Sequence, residues 1–209
     1  MKYYKFLTAD NLGPYSNFDF TPYLPTDDQP APWLPEVERL EFCESGYHAC
    51  TREKLLDWLN AEMWEVEYKN DPEHGNDKVN GSCIRFLRRV DGWNDQTARL
   101  FAVWCAREAL KLIDNPDPRS IAAVDVAERF ANGEATIEEL AAVRAAARAV
   151  AWDAAWDAVI AAARNAAWAA AWDAVRAAAR AVARDVAWDA ARAAAWDAQN
   201  KKLCEMLGI

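Results

Sequence analysis

The sequence lacks a long uncharged apolar run, because Arg and Asp interrupt even the alanine-rich region near its end. A membrane-spanning helix needs about 20 consecutive apolar residues, so we expect no membrane partner. The N-terminal stretch MKYYKFLTADNLGP has no apolar segment of signal-peptide length and no small-residue cleavage site. We therefore predict a cytoplasmic protein.

Positive charge is scarce as well. The 209 residues include 24 Lys and Arg against 33 Asp and Glu, for a net charge of −9 and a pI near 4.8. Binding to a nucleic-acid duplex depends on Lys and Arg that neutralise phosphates. The balance of charge therefore argues against a duplex nucleic-acid partner.

Familiar catalytic motifs are also missing. The chain contains two His residues and shows no Ser-His-Asp signature, P-loop, G-x-G-x-x-G or H-E-x-x-H. The absence of these motifs favours a protein without enzymatic activity, and we expect no cofactor.

Two residue types are unusually abundant, namely Trp and Ala. Of the eleven Trp, six lie within residues 141–199, where 31 of 59 residues are Ala. Neither Gly nor Pro occurs between Gly133 and Gly208. These features divide the chain into two parts of different character.

The first part, residues 1–95, is predicted to be a small α+β domain. β-Prone runs occupy Tyr3–Leu7, 63–68 and 82–90. Residues 51–60 have the apolar spacing of a helix that Thr51 could cap. Residues 8–37, rich in Pro, Asp and Asn, form an irregular N-terminal arm.

The second part, residues 96–209, is predicted to be an all-α, Ala- and Trp-rich bundle, which makes the chain predominantly helical overall. Asp95 is a candidate cap for a helix to about residue 113, and the prolines of DNPDPR end it. A second helix is expected to run to Ala131 and close at Asn132-Gly133. Thr136 and Glu139 match the capping box of a third.

A period-four pattern fills residues 144–199. Every Trp and Arg from 144 to 196 falls at a multiple of four, and each Asp follows one position later, giving W/R-D/A-A/V-A/V. On a helix this column separates into two mostly apolar faces and a charged wall. Either residues 137–206 form one helix, or they fold back near Asn165.

The tetrad column is interpreted first as a packing and solubility pattern, and alternatively as a binding face or a surface for homo-oligomerisation. The candidate binding residues are Trp152, Trp156, Trp188, Trp196, Arg144, Arg148, Arg176, Arg180 and Arg184.

The segment Cys43-Glu44-Ser45-Gly46-Tyr47-His48-Ala49-Cys50 is the strongest candidate for chemistry. His48 could be a structural side chain bonded to backbone. It could instead bind a nucleotide or another anion, or act as an acid or base. Its candidate neighbours are then Tyr47, Glu65 and Glu67.

Metal and disulfide alternatives are weaker. Cys43, His48 and Cys50, with Cys83, could ligate a metal, but the spacing lacks a C-x2-C knuckle and we expect no metal. A Cys43–Cys50 disulfide is disfavoured in reducing cytosol. Gly46 suits a turn before the next element.

CESGYHAC resembles the C-x-x-G-[F/Y]-H-A-C segment of an uncharacterised domain common in phage and prophage proteins. There, as here, an E-V-E-like strand follows, at residues 64–68. The resemblance covers residues 1–90 and implies no particular activity. The Gly-x-His turn among strands also loosely resembles ADP-ribosyltransferase-like folds.

The second half resembles the helical immunity proteins of bacterial polymorphic toxin systems. The similarity rests on the Cys-Ala helix start at Cys105-Ala106 and on the turn Phe130-Ala131-Asn132-Gly133-Glu134-Ala135-Thr136. It implies a module that binds and neutralises a protein partner, such as a toxin or a host defence factor. We expect a non-enzymatic interaction module, with a small-ligand or nucleotide site around His48 and a self-associating structural protein as alternatives.

Overall fold

The computed structural model describes residues 1–26, 31–143, 145–146 and 193–209. The chain divides into two compact units. The first combines Met1–Thr97 with Trp196–Ile209, and the second is Ala98–Ala195. The C-terminal residues, which the sequence groups with the helical part, thus belong to the unit that contains the strands.

Six strands form the sheet of the first unit in the part of the chain that the structure describes. They are β1 (Tyr3–Leu7), β2 (Tyr47–Thr51), β3 (Glu62–Tyr68), β4 (Glu73–His74), β5 (Val79–Gly81) and β6 (Ile84–Arg89). Their order is β4-β5-β2-β1-β3-β6, and all neighbouring strands are antiparallel.

The predicted strands at 3–7, 63–68 and 82–90 are confirmed as β1, β3 and β6. β2, β4 and β5 were not predicted, because they are short and contain Cys, His, Asn and Gly, which carry little strand signal. The helix expected over 51–60 is a 3-10 helix at Arg52–Asp57. Thr51 precedes it without a side-chain capping hydrogen bond.

The β1 strand pairs with its two neighbouring strands over different lengths. It pairs with β3 along its whole length, from Tyr3↔Val66 to Leu7↔Glu62. It pairs with β2 only at Tyr3↔Thr51 and Tyr4↔Cys50. Beyond that point β1 continues with β3 and β2 continues with β5, so the two strands diverge.

Side chains from both groups of strands meet in one hydrophobic core. β1, β3 and β6 contribute Leu7, Trp64, Val66, Ile84 and Phe86, while β2 and β5 contribute Ala49 and Val79. The hydroxyl of Tyr68 on β3 donates to the carbonyl oxygen of Tyr47 on β2 at 2.8 Å, although β1 separates these strands in the sheet order. Tyr68 thus links β3 directly to β2 beyond the start of β1.

The predicted irregular arm is confirmed, and it completes this core. Apart from a 3-10 helix at Thr21–Tyr23, the described residues of 8–37 form no helix or longer strand. Phe20, Ala31 and Leu34 are each at most 6% exposed within the core cluster. The arm thus buries apolar side chains without regular hydrogen bonding of its own.

Helices follow the sheet as the sequence predicts. α1 spans Asp95–Leu110 and α2 spans Pro118–Ala131. The cap of α1 is Asn94, whose Oδ1 accepts from the Thr97 N–H at 3.0 Å, and not Asp95 as expected.

The signals around α2 are confirmed in detail. Gly133 has φ +76° and closes α2. The Thr136 N–H donates to Glu139 Oε2 at 2.8 Å, and the Glu139 N–H donates to Thr136 Oγ1 at 3.2 Å, so the capping box forms. Residues 137–143 are helical after it.

The prediction of a predominantly helical chain with an all-helical C-terminal bundle is wrong. Of the residues that the structure describes, 40% are helical and 21% are in strands, and they include the six-stranded sheet and four substantial helices. Helical residues 193–207 belong largely to the unit that contains the sheet, where Leu203 and Cys204 are buried. Asn200 Nδ2 donates to the Arg52 carbonyl oxygen at 2.9 Å and attaches this helix to the 3-10 segment.

Most of the tetrad pattern lies outside the described residues, including the proposed break at Asn165. None of the helices that the structure does describe is long and apolar enough to cross a bilayer.

Candidate functional site

A cavity of about 660 Å³ lies in the first unit, where β1 and β2 diverge. Three parts of the chain supply most of its lining: β1 and β2 from their last pair onward, the arm between Gly13 and Phe20, and the segment that precedes β2. Trp58 and Lys78 complete it. The lining residues are Tyr4, Lys5, Phe6, Gly13, Pro14, Tyr15, Ser16, Phe18, Phe20, Cys43, Glu44, Gly46, Tyr47, His48, Ala49, Cys50, Trp58 and Lys78.

A tight turn brings the segment before β2 to the cavity. The Ser45 N–H donates to the Glu41 carbonyl oxygen at 2.9 Å, and Cys43 has a φ of +68° within this turn. Gly46 follows with φ +108°, and a Cβ there would lie 2.2 Å from Asn80 Oδ1. Only glycine fits this position, as expected for the turn before His48.

His48 is fixed by this turn. The backbone N–H of Cys43 donates to His48 Nε2 at 3.2 Å, which assigns the remaining ring proton to Nδ1. Burial, together with the nearby Lys5 and Lys78, lowers the pKa of His48 to about 4, while Asp77 acts in the opposite direction. At neutral pH the imidazole is therefore uncharged.

Lys5 extends from the middle of β1 toward β2. Its Nζ donates to the carbonyl oxygen of His48 at 2.7 Å and lies 4.7 Å from the ring centre of Phe20. This contact occupies a carbonyl in the stretch where β2 no longer pairs with β1. Burial lowers the pKa of Lys5 to about 8.

Lys78 is the second lysine of the cavity. Its Nζ donates to Cys43 Sγ at 2.9 Å and lies 5.3 Å from the ring centre of Trp58. The hydrogen bond to Cys43 is the main reason that the pKa of Lys78 is raised. Lys78 is thus a full positive charge at neutral pH.

The arm supplies an aromatic wall. The Gly13 N–H donates to the Phe18 carbonyl oxygen at 2.9 Å, which closes a loop that carries Tyr15. Tyr15 is 80% exposed, and its ring meets Trp58 edge to face at 5.7 Å between centres. An exposed tyrosine packed against the half-buried Trp58 beside a cavity offers a planar group a surface to pack against.

The candidate neighbours of His48 are placed unequally. Tyr47 lines the cavity, but its hydroxyl donates to the Pro35 carbonyl oxygen at 2.8 Å. Glu65 and Glu67 lie on β3 and are not lining residues. Glu65 pairs with Arg88 at 2.6 Å and Lys2 at 3.4 Å, and Glu67 pairs with Arg85. Neither carboxylate meets His48.

The cysteines serve as side chains of the core and the turn. All five thiols are free. The Sγ atoms of Cys50 and Cys83 donate to the carbonyl oxygens of Tyr4 at 3.4 Å and Leu34 at 3.1 Å. Among the residues with described positions, no group of three His, Cys, Asp or Glu could hold a metal ion.

Of the nine Trp and Arg candidates for a binding face, the structure describes Trp196, which is 38% exposed. The others lie outside the described residues: Arg144, Arg148, Trp152, Trp156, Arg176, Arg180, Arg184 and Trp188.

Lys5 and Lys78 were missed by the sequence reading. For Lys5 a signal existed, since a charged residue at the centre of the apolar run YYKFL is rarely buried without a role. Lys78 lies in a polar loop and gives no such signal. Its position depends on the pairing of β5 with β2.

Comparison of the chain with protein-family models, with curated proteins and with solved structures finds no match.

Proposed function

We propose that the first unit binds a small anionic ligand that carries a planar or apolar part, in the cavity between β1 and β2. The carrying observation is the cavity itself: about 660 Å³ lined by two lysines, a neutral histidine and an aromatic wall. Small-molecule sites commonly enclose about 300 to 1,000 Å³ and combine apolar walls with a few polar groups.

The charges of the lining favour an anion. Lys5 and Lys78 are set against one lining carboxylate, Glu44, with Asp77 close enough to affect Lys78 and His48. The whole chain carries a net charge of −9. A cavity with a positive lining in so acidic a protein would attract an anion by a local field and not by net charge.

The polar side chains of the cavity would contact a ligand in different ways. The ammonium of Lys78 can pair with a carboxylate or phosphate. His48 can donate from Nδ1 without adding charge, because Nε2 is held by the Cys43 N–H. Tyr15 and Trp58 would cover a ring or an apolar chain.

Isothermal titration with adenosine monophosphate, a planar anion, tests this proposal against inorganic phosphate. Saturable binding is expected, tighter for the nucleotide than for phosphate. Lys78→Met should weaken it about tenfold, as loss of a charged hydrogen bond of roughly 1.4 kcal/mol implies. Lys201→Met, an exposed lysine of the C-terminal helix, is the matched control and should leave binding unchanged.

Two results would overturn the proposal. One is the absence of binding by either anion to the folded wild-type chain. The other is equal affinity in wild type, Lys78→Met and Lys201→Met, which would place the anion elsewhere.

Neutralisation of a protein partner remains a prediction because only the family resemblance implies it, and self-association remains one because it depends on the tetrad residues. Eight of the nine candidate residues lie outside those that the structure describes. We also propose a cytoplasmic location. The five free thiols support it, because oxidising compartments favour disulfides.

A further inference from the structure

Lys5 lies in the cavity lining without an acidic partner, in contrast to three other lysines in the described part of the chain. Lys2, Lys69 and Lys111 pair with Glu65, Glu36 and Glu108. For Lys5, no carboxylate lies within 4.0 Å of Nζ among the residues whose positions are described. Its one hydrogen bond goes to the neutral carbonyl oxygen of His48.

This environment stabilises an ammonium poorly. A buried ammonium needs an opposite charge or a full set of acceptors to offset its lost hydration. Lys5 has one acceptor at 2.7 Å and the face of Phe20 at 4.7 Å. Burial accordingly lowers its pKa to about 8, so about a tenth of the side chain is the free amine at pH 7.

The amine is also accessible to a ligand. Lys5 lines the cavity, and both groups that hold its Nζ, the His48 carbonyl and the Phe20 ring, belong to lining residues. Lys78 also lines the cavity, and both lysines are close enough to His48 to lower its pKa. A nucleophile and a fixed cation thus share one enclosed space.

We propose that Lys5 is a nucleophilic amine that forms an imine with a small aldehyde or 2-oxo acid bound in this cavity. The inference rests on the proposed anion site and names its ligand class. The Lys5 nitrogen attacks the carbonyl carbon and forms a C–N bond. The carbonyl oxygen then leaves as water with the two amine protons, so no oxidant or reductant takes part. Lys78 would hold the carboxylate of a 2-oxo acid.

Trapping with glyoxylate and sodium cyanoborohydride tests the inference. Reduction of the imine leaves a stable carboxymethyl group, which intact mass and peptide mapping locate. Lys5 should be labelled about tenfold faster than Lys201 or Lys202 at pH 7.5, because burial leaves a larger fraction of Lys5 as the free amine.

Variants make the result specific. Lys5→Arg keeps the positive charge but cannot form the imine, so labelling at this position should vanish while the melting temperature reports the fold. Lys78→Met should slow labelling of Lys5, and Lys201→Met should not. Equal labelling of Lys5, Lys201 and Lys202 in the folded wild type would overturn the inference.

The inference and the proposed function fail separately. If adenosine monophosphate binds and Lys5 is not labelled above Lys201 and Lys202, the anion site stands and the imine is wrong. If Lys5 is labelled selectively and the nucleotide does not bind, the amine is reactive and the planar-anion site is wrong.

Discussion

The two sides of β1 show how one strand serves both stability and a candidate site. Toward β3, β1 forms five successive residue pairs, and β3 in turn pairs with β6. Toward β2, pairing stops after Tyr4↔Cys50. The closed side satisfies its backbone through the ladder, whereas on the open side the ammonium of Lys5 occupies a carbonyl of β2. Where the hydrogen-bonded ladder between β1 and β2 ends, a side chain replaces the backbone as hydrogen-bond partner and the gap leaves room for a ligand.

The largest effect is expected on the closed side, at Phe86. It is 1% exposed, opposite Val66 in the ladder, and its ring meets Trp64 and Phe20 edge to face at 5.7 and 5.6 Å. Phe86→Ala should lower the free energy of unfolding by about 3 to 5 kcal/mol, through lost burial and the cavity left behind. Urea denaturation measures it.

The neighbouring Leu87 provides the control for Phe86. It is 40% exposed, so Leu87→Ala should change stability by less than about 1 kcal/mol. Similar losses in the two variants would show that the closed side is not the stabilising part of the sheet.

A smaller loss is expected on the open side, at Gly46. Its φ of +108° and a Cβ position 2.2 Å from Asn80 Oδ1 combine backbone strain with a steric clash. Gly46→Ala should destabilise by about 2 to 4 kcal/mol. Asn80 is fully buried and donates to Ser45, so it cannot move without losing that bond.

Gly133 separates these two causes. It also has positive φ, +76°, but an added Cβ would meet nothing within 4 Å. Gly133→Ala should therefore cost only the backbone strain, about 1 to 2 kcal/mol. If denaturation gives equal losses for the two glycines, the clash with Asn80 does not constrain the turn before His48.

The same contrast explains what the sequence could predict. The closed side was predictable, since β1, β3 and β6 are β-prone apolar runs, two of them partly alternating. The capping box at Thr136 and Glu139 was predictable too, because it joins residues only three apart. Short sequence patterns are enough to predict such elements. The helical content was overestimated because the sequences of the short strands β2, β4 and β5 give only a weak indication of strand.

The open side was only partly predictable. CESGYHAC correctly drew attention to His48, through a glycine turn that is a local signal. Lys5 and Tyr15 precede His48 by 43 and 33 residues, and Lys78 follows it by 30 residues. Only the pairing of β2 with β1 and β5 brings these residues together around the cavity. Glu65 and Glu67 failed as neighbours because β3 lies on the far side of β1.

The pH dependence of stability tests the electrostatics of the open side. The folded-state pKa of His48 is about 4, below the ordinary 6.5. Between these values the unfolded chain binds a proton that the folded chain does not, so stability falls as the pH falls from 6.5 to 4. His48→Gln should remove this part of the slope, measured by urea denaturation at several pH values.

Comparison with wild type isolates His48 from other groups. Asp19 and Asp117 also have lowered pKa values and act in the same direction at acid pH, but they are unchanged in the variant. Parallel pH curves for the two proteins would contradict the placement of a neutral His48 between Lys5 and Lys78.

The smallest effect is expected at the ion pair of Arg89 and Glu62, which joins β6 to β3 on the closed side. Arg89 Nη2 lies 2.8 Å from Glu62 Oε1, and the arginine side chain is 47% exposed. Because water screens such pairs, Arg89→Met should lower stability by only about 0.2 to 1 kcal/mol, and less at high salt. A double-mutant cycle with Glu62→Gln measures the coupling. A coupling above about 2 kcal/mol would mean that charge, and not the burial of Phe86 and its neighbours, holds the closed side together.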